Sequence, residues 1–318
     1  MRLPRALQLA TLVDAPPEGP EWVHEQKFYG YRILAEVEDG RVRLLSRRFK
    51  DWTAEFPTIA EALAKLPVTS ALLDGEVAVV LPDGRTSFQG LQGSFGKRGA
   101  NIVYFAFDLL AENGDSWLAR PLEQRKARLE QLVKRTKSRA LRYSDHVVGR
   151  GGKFFGLACK TGLEGIVSKR RDRPYVPGRG TAWQKTKCVQ RQEFVIGGFT
   201  DPDGSRAGFG ALLVGVYEQD RLHYAGKVGT GFSHELLGEL RALLDPIERP
   251  ASAFEPAPQR AWTGPHAHWV EPSYVCEVQF AEWTDEGRLR HPSFQGLRLD
   301  KAPVEVVRER RRTNLRTK

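Results

Sequence analysis

Two rhythms of apolar positions alternate along the chain, one of period two and one near 3.6, which predicts strands mixed with helices. Residues 31–47 read YRILAEVE and RVRLLSR on either side of Asp39-Gly40, the pattern of a hairpin with a two-residue turn. Residues 53–66 set Phe56, Ile59, Ala60, Leu63 and Leu66 at helical spacing, closed by Pro67. A buried strand is expected over 71–81, stopped by the turn Pro82-Asp83-Gly84, and another over 102–110. Residues 121–137 read as a charged amphipathic helix with Leu122, Leu129, Leu132 and Val133 inward. This order predicts the α+β class rather than a regular parallel sheet.

Near Gln190 the pattern changes to short strands and turns: EFVIGGFT, Asp203-Gly204, GALLVGVYE and LHYAGKVG, with one helix over 233–244. A Pro/Ala-rich stretch over 249–259 precedes strand-like runs between Tyr274 and Trp283. Such a set of short strands with one helix predicts a small β-barrel. The expected domains are residues 1–189 and 190–318.

Composition narrows the picture only a little. Hydrophobic residues make up 41% and charged residues 28% of 318, ordinary for a globular chain with two cores. No run of 18 apolar residues occurs, so a transmembrane helix is excluded. Residues 1–14 lack the apolar core and cleavage site of a signal peptide, and a cytoplasmic protein is expected. Cys159, Cys188 and Cys276 are odd in number and far apart in sequence, so free buried thiols are expected. The net charge of +10 is partly local, since residues 308–318 hold six basic residues and one acid. That surplus suits a polyanion such as nucleic acid and specifies no chemistry. His266 and His268 form an H-x-H pair without an acidic or cysteine neighbour in sequence, and are not read as a metal site.

Candidate chemistry begins at EQKFYGYR, residues 25–32, where Lys27 stands among Phe28, Tyr29 and Tyr31 with Gly30 beyond it. A lysine is a poor nucleophile at its free pKa of about 10.4, and desolvation or nearby cations would lower it. Taken alone, Lys27 is simply a surface lysine. Other segments change that reading. LLDGEV (72–77) ends an apolar strand in Asp74 and Glu76, and YFAFDLL (104–110) sets Phe107 beside Asp108. LEGIVSKR (163–170) brings Glu164, Lys169 and Arg170, and AWQKTK (182–187) brings Lys185 and Lys187. Each has a plain structural reading as a solvated strand end or a core ring. Together, in this order, they are hard to attribute to chance.

The ordered set resembles the covalent nucleotidyltransferase superfamily of ATP-dependent DNA ligases, RNA ligases and mRNA capping enzymes. It is most similar to the ligase module of bacterial non-homologous end-joining ligases. SRRFKDWTAEFP (46–57), FVIGGFT and LRHPSFQGLRLDK (289–301) extend the resemblance over nearly the whole chain. It implies an ATP-grasp-like nucleotidyltransferase (adenylation) domain followed by an OB-fold domain. The implied activity is sealing of 5′-phosphate/3′-hydroxyl nicks in DNA repair. By this resemblance Lys27 attacks the α-phosphorus of ATP and Glu25 accepts from the adenine amine. Arg32 and Glu76 hold the ribose, Phe107 stacks on the purine, and Lys169 belongs to the nucleotide-binding set. Lys185 and Lys187 contact the α-phosphate, while Glu76 and Glu164 organise Mg²⁺ (or Mn²⁺). Arg298 and Lys301 orient the leaving pyrophosphate, and Arg47 touches the 5′-phosphate of the DNA. Positioning cations around a developing negative charge is what phosphoryl transfer requires.

The resemblance further implies nicked duplex DNA as partner, a helper such as Ku, a monomer, and a cytoplasmic, nucleoid-associated setting. No helical DNA-binding domain is read before Glu21, and no polymerase or phosphoesterase segment. One motif departs from the family: Lys-x-Asp-Gly is Lys27-Phe28-Tyr29-Gly30 here, a phenol in place of a carboxylate. Two alternatives stay open, the second of them on this ground. One is an RNA ligase or guanylyltransferase; the other is a ligase-like DNA-binding protein with weakened catalysis.

Overall fold

Asp39 and Gly40 both take positive φ, 47° and 76°, the two-residue turn whose twist matches that of paired strands. The turn joins β3 (Tyr31–Glu38) to β4 (Arg41–Ser46) in antiparallel register. The computed structural model describes residues 4, 6–87, 90–91, 101–202 and 208–309. The expected turn at Asp203-Gly204 and the basic tail beyond Glu309 lie outside the described residues.

Before the hairpin come β1 (Gln8–Leu12) and β2 (Trp22–Gln26); after it come α1 (Pro57–Leu63), β5 (Ser70–Val80), β6 (Thr86–Ser87) and β7 (Ile102–Glu112). There follow β8 (Asp115–Ser116), α2 (Leu122–Thr136), β9 (Leu141–Tyr143) and β10 (His146–Val148). α3 (Gly151–Lys160), β11 (Gly165–Arg170) and β12 (Gly178–Lys187) complete the first compact unit, which ends at Cys188. Helix α1 is shorter than its apolar spacing predicts. Pro57 stands in its first turn, and Phe56 before it takes φ −129°, ψ 57°, because a residue preceding proline avoids the helical region.

Two sheets build this unit, with strand orders β1-β12-β11-β2-β10 and β4-β3-β5-β7-β8. Along β3 and β5 the odd-numbered Ile33 and Leu73 pack with Leu129 and Leu132 of α2. The even-numbered Leu34 and Leu72 pack with Tyr175 and Trp183, toward the other sheet. Period-two alternation thus gives β5 two buried faces, which is why its sequence is a nearly unbroken apolar run. The polar interruptions, Asp74 and Glu76, share the face turned toward the other sheet.

The second unit spans Val189–Glu309. It contains β13 (Gln190–Thr200), β14 (Leu212–Glu218), β15 (Arg221–Val228), α4 (His234–Leu244) and β16 (Glu248–Arg249). β17 (Ala267–Phe280), β18 (Glu282–Trp283), β19 (Leu289–Arg290) and β20 (Ser293–Leu297) follow. β17 is one long strand where two runs were expected. It carries Pro272 at a register shift opposite Gly197, where no ladder bond is lost. The ladder β15-β14-β13-β17-β20 curls around Phe194, Val214, Val278 and Phe294, and one bridge, Thr230 to Ser293, links its ends. Among the described residues, the barrel of the OB-fold is therefore not closed by a continuous ladder.

The expectation of free thiols is corrected. Cys159 and Cys188 are not free thiols but form a disulfide, with Cα atoms 5.1 Å apart. β11 and β12 run antiparallel, so the end of β12 returns to the end of α3, and Cys188 donates its N–H to the carbonyl of Glu164 at 2.9 Å. Cys276 is the buried free cysteine among the described residues. His268 has acidic neighbours in space, though none close in sequence: Nδ1 lies 2.6 Å from Glu248 Oε1 and Nε2 lies 2.9 Å from Asp201 Oδ1. Among the described residues no group of three or more His, Cys, Asp or Glu is arranged to hold a metal, and no helix is long and apolar enough to cross a membrane.

Candidate active site

The chain crosses from one sheet to the other between β2 and β3, and the crossing fixes Lys27. Its N–H donates to the Gly165 carbonyl at 3.0 Å, and its Nζ donates to Glu164 Oε1 at 2.5 Å. Glu164 is buried, and its other oxygen, Oε2, has no hydrogen-bond partner among the described residues. Gly30 is required at the crossing, since a Cβ there would lie 2.1 Å from the Val77 carbonyl oxygen. Phe28 stacks on Phe105 at 4.1 Å. Tyr29 packs against the core under α1 and donates its N–H to Thr86 Oγ1 at 2.9 Å.

The β3–β5–β7 sheet supplies one wall. Arg32 and Glu76 are direct cross-strand partners. Gly75 pairs with Ala106 and Asp74 with Asp108, so Phe107 is the extra residue of a β-bulge, a device that re-aims a side chain. Its ring meets Trp183 edge to face at 5.9 Å. Arg32 is held by a fork on Asp74, Nε to Oδ1 at 2.9 Å and Nη2 to Oδ2 at 2.6 Å, and donates Nη1 to the Gln8 carbonyl at 2.7 Å. Burial alone would lower its pKa, but the Asp74 carboxylate outweighs that and raises it.

The other sheet supplies the opposing wall. Glu25 of β2 is 2% exposed and accepts from Lys126 at 2.9 Å, from Lys169 at 3.0 Å and from the Ser144 hydroxyl at 2.9 Å. Burial pushes its carboxyl up, yet the two ammonium groups prevail and hold it below the usual carboxylate range. Lys169 is pushed down to about 8, chiefly by burial, with Glu25 opposing. Its Nζ stands 4.3 Å from the ring centres of both Phe107 and Trp183.

Glu25, Lys27, Arg32, Glu76, Phe107, Lys169 and Lys185 line one cavity of about 150 Å³. Glu164 touches it through Lys27, and Lys187 lies beside it in β12, paired with Gly165. Arg47 follows β4 and is not part of the lining. Arg298 and Lys301 belong to the second unit, where Arg298 forks onto Asp300 at 2.9 and 2.8 Å and Lys301 meets Glu193 at 3.1 Å. Sequence reasoning missed Lys126, Ser144 and Trp183. Lys126 had a signal, because residues 122, 126, 129 and 133 fall on one helical stripe.

A divalent cation fits these residues in part. Glu164 Oε2 is a buried carboxylate oxygen without a donor among the described residues, and Glu76 faces the same cavity, so a cation held there would need further oxygens from a ligand. The arrangement offers an amine for attack, cations beside it and an aromatic face for a flat ring.

Comparison with known proteins follows the division of the chain. Residues 8–187 match the family described as "ATP dependent DNA ligase domain", and residues 205–301 match "ATP dependent DNA ligase C terminal region". The chain is 44% identical over 309 residues to the multifunctional non-homologous end joining protein LigD of Pseudomonas aeruginosa, covering 96% of this chain and 36% of that protein. It is 40% identical over 292 residues to the LigD of Mycobacterium tuberculosis, covering 91% and 38%. The chain thus spans little more than a third of these relatives. A solved structure of mycobacterial DNA ligase D complexed with ATP and MES is similar at 39% identity and a TM-score of 0.70, covering 96% of this chain and 98% of that one.

Proposed function

Because the chain belongs to the ATP-dependent DNA ligase family, we propose that it seals DNA nicks through an AMP adduct on Lys27. The observation that carries this reading is the position of Lys27 Nζ, at the wall of a cavity and 2.5 Å from a buried carboxylate. A free amine there would attack the α-phosphorus of ATP. The N–P bond forms, the bond to pyrophosphate breaks, and the amine proton leaves by way of Glu164 or solvent. AMP then passes to the 5′-phosphate of a nick, and the 3′-hydroxyl displaces it.

In this reading Phe107 stacks on adenine, Glu25 accepts its amine, and Arg32 and Glu76 face the ribose. Lys185 and Lys187 neutralise the α-phosphate, and Lys169, beside Glu25 and Phe107, belongs to the base end of the site. Arg298 and Lys301 serve the pyrophosphate, and Arg47 the 5′-phosphate of the DNA. Mg²⁺ or Mn²⁺, held by Glu164 and Glu76, supplies charge neutralisation on the phosphates. Nicked duplex DNA is the substrate, and end-joining repair with a helper such as Ku is the setting, in a monomer of the nucleoid. The similarity to LigD proteins supports this setting.

The reading is tested with a nicked duplex, ATP and Mg²⁺, beside Lys27→Ala. Wild-type protein should give sealed product and an intact mass increased by one AMP, and Lys27→Ala neither. A chain that binds DNA but never gains AMP would favour the non-catalytic alternative that Tyr29 leaves open.

A further inference from the structure

Glu25 is crowded by donors. Oε1 accepts from Lys126 at 2.9 Å and lies 2.9 Å from Lys169, while Oε2 accepts from Lys169 at 3.0 Å and from Ser144 Oγ at 2.9 Å. The two lysines are not equivalent. Lys169 lines the cavity and rests on the faces of Phe107 and Trp183. Lys126 does not line it; its ammonium comes from α2, donates also to the Ser144 carbonyl at 2.9 Å, and is 1% exposed. Its helix is anchored by Leu129 and Leu132 in the core.

A base stacked on Phe107 needs the face that Lys169 Nζ now covers at 4.3 Å. The cavity of about 150 Å³ is also smaller than the ~300 Å³ at which ligand pockets usually begin. Nucleotide entry therefore displaces Lys169 and strips Glu25 of one of its two cations. A fully buried carboxylate left without a counter-ion takes up a proton. As a neutral acid it would donate to a 6-oxo purine instead of accepting from a 6-amino one.

We propose that Lys126, with Ser144, is a positioning pair that keeps Glu25 anionic and aimed once Lys169 yields, and so secures the preference for a 6-amino purine. This rests on the ligase reading above.

The test uses the full chain as wild type, Lys126→Met and Ser144→Ala. Each is given ATP or inosine triphosphate with Mg²⁺, and single-turnover formation of the nucleotidyl adduct is followed by intact mass. Lys126→Met should raise KM for ATP about tenfold with little change in limiting rate, and narrow the preference for ATP over inosine triphosphate about tenfold. Ser144→Ala should do the same about threefold, and carries the test if Lys126→Met does not fold. A variant that slows both nucleotides alike, with its preference unchanged, would show a merely structural role and overturn the proposal. Absence of any adduct in the wild type would instead sink the ligase reading, and this one with it.

Discussion

Arg125 of α2 forks onto Asp108 of β7, Nε to Oδ1 at 2.7 Å and Nη2 to Oδ2 at 2.9 Å, and neither side chain is exposed. The same guanidinium donates to the carbonyls of Arg120 and Arg173. The pair ties the helix that carries Lys126 to the strand that carries Phe107. Removing one partner leaves an uncompensated buried charge, which typically costs about 3–5 kcal/mol. Asp108→Ala should lose that much in urea unfolding. A loss under about 1 kcal/mol, the scale of an exposed pair, would show that Arg125 finds water or another acceptor.

Glu164 holds Lys27 through Oε1 and leaves Oε2 without a partner among the described residues. Glu164→Gln keeps the shape and removes the charge. The variant should form the AMP adduct about 10²-fold more slowly or worse, on the scale of general acid–base effects. Lys27 is partly exposed, so the loss of its counter-ion should cost far less stability than the change at Asp108. An unchanged rate, measured by intact mass over time, would leave Glu164 no part in the chemistry.

The disulfide closes a loop of 29 residues that contains Glu164, Lys169 and Lys185. In the chain-entropy account, a loop of that length restricts the unfolded state by about 3–4 kcal/mol. Cys159→Ser should therefore unfold at lower urea than the oxidised wild type, and reductant should bring the wild type down to the variant. If reductant changes nothing, the bond is not formed in solution.

Much of this was legible where the determining chemistry is local. The Asp39-Gly40 hairpin follows from two residues able to adopt positive φ, and the five motif segments already fall in the order in which two sheets present them. The α1 boundary was misjudged because apolar spacing at 53–66 continues through a turn that Pro57 keeps from being helical. The cysteine pair was missed because distance along the chain is not distance in space: an antiparallel return brings 188 to 159. Lys126 lies on the buried stripe of α2, but apolar spacing alone picks out only Leu122, Leu129, Leu132 and Val133 as inward. Glu25 across the fold, 101 residues away, and the Ser144 carbonyl explain its burial.

His268 illustrates a pH-dependent contribution in the second unit. It stacks on Phe199 at 4.8 Å between Glu248 of β16 and Asp201 beyond β13. The hydrogen bond to Glu248 raises its pKa most, burial opposes, and Asp201 adds to the rise. A histidine whose folded value is raised binds its proton more tightly in the folded state. Its contribution is thus fully present below the unfolded value of about 6.5 and is lost as pH rises through the folded value. His268→Gln should cost stability at pH 5.5 and progressively less at alkaline pH, read as the difference in urea midpoints. Were that difference constant from pH 5.5 to 9, the imidazole would be acting as a neutral hydrogen-bonding ring rather than as a cation between two acids.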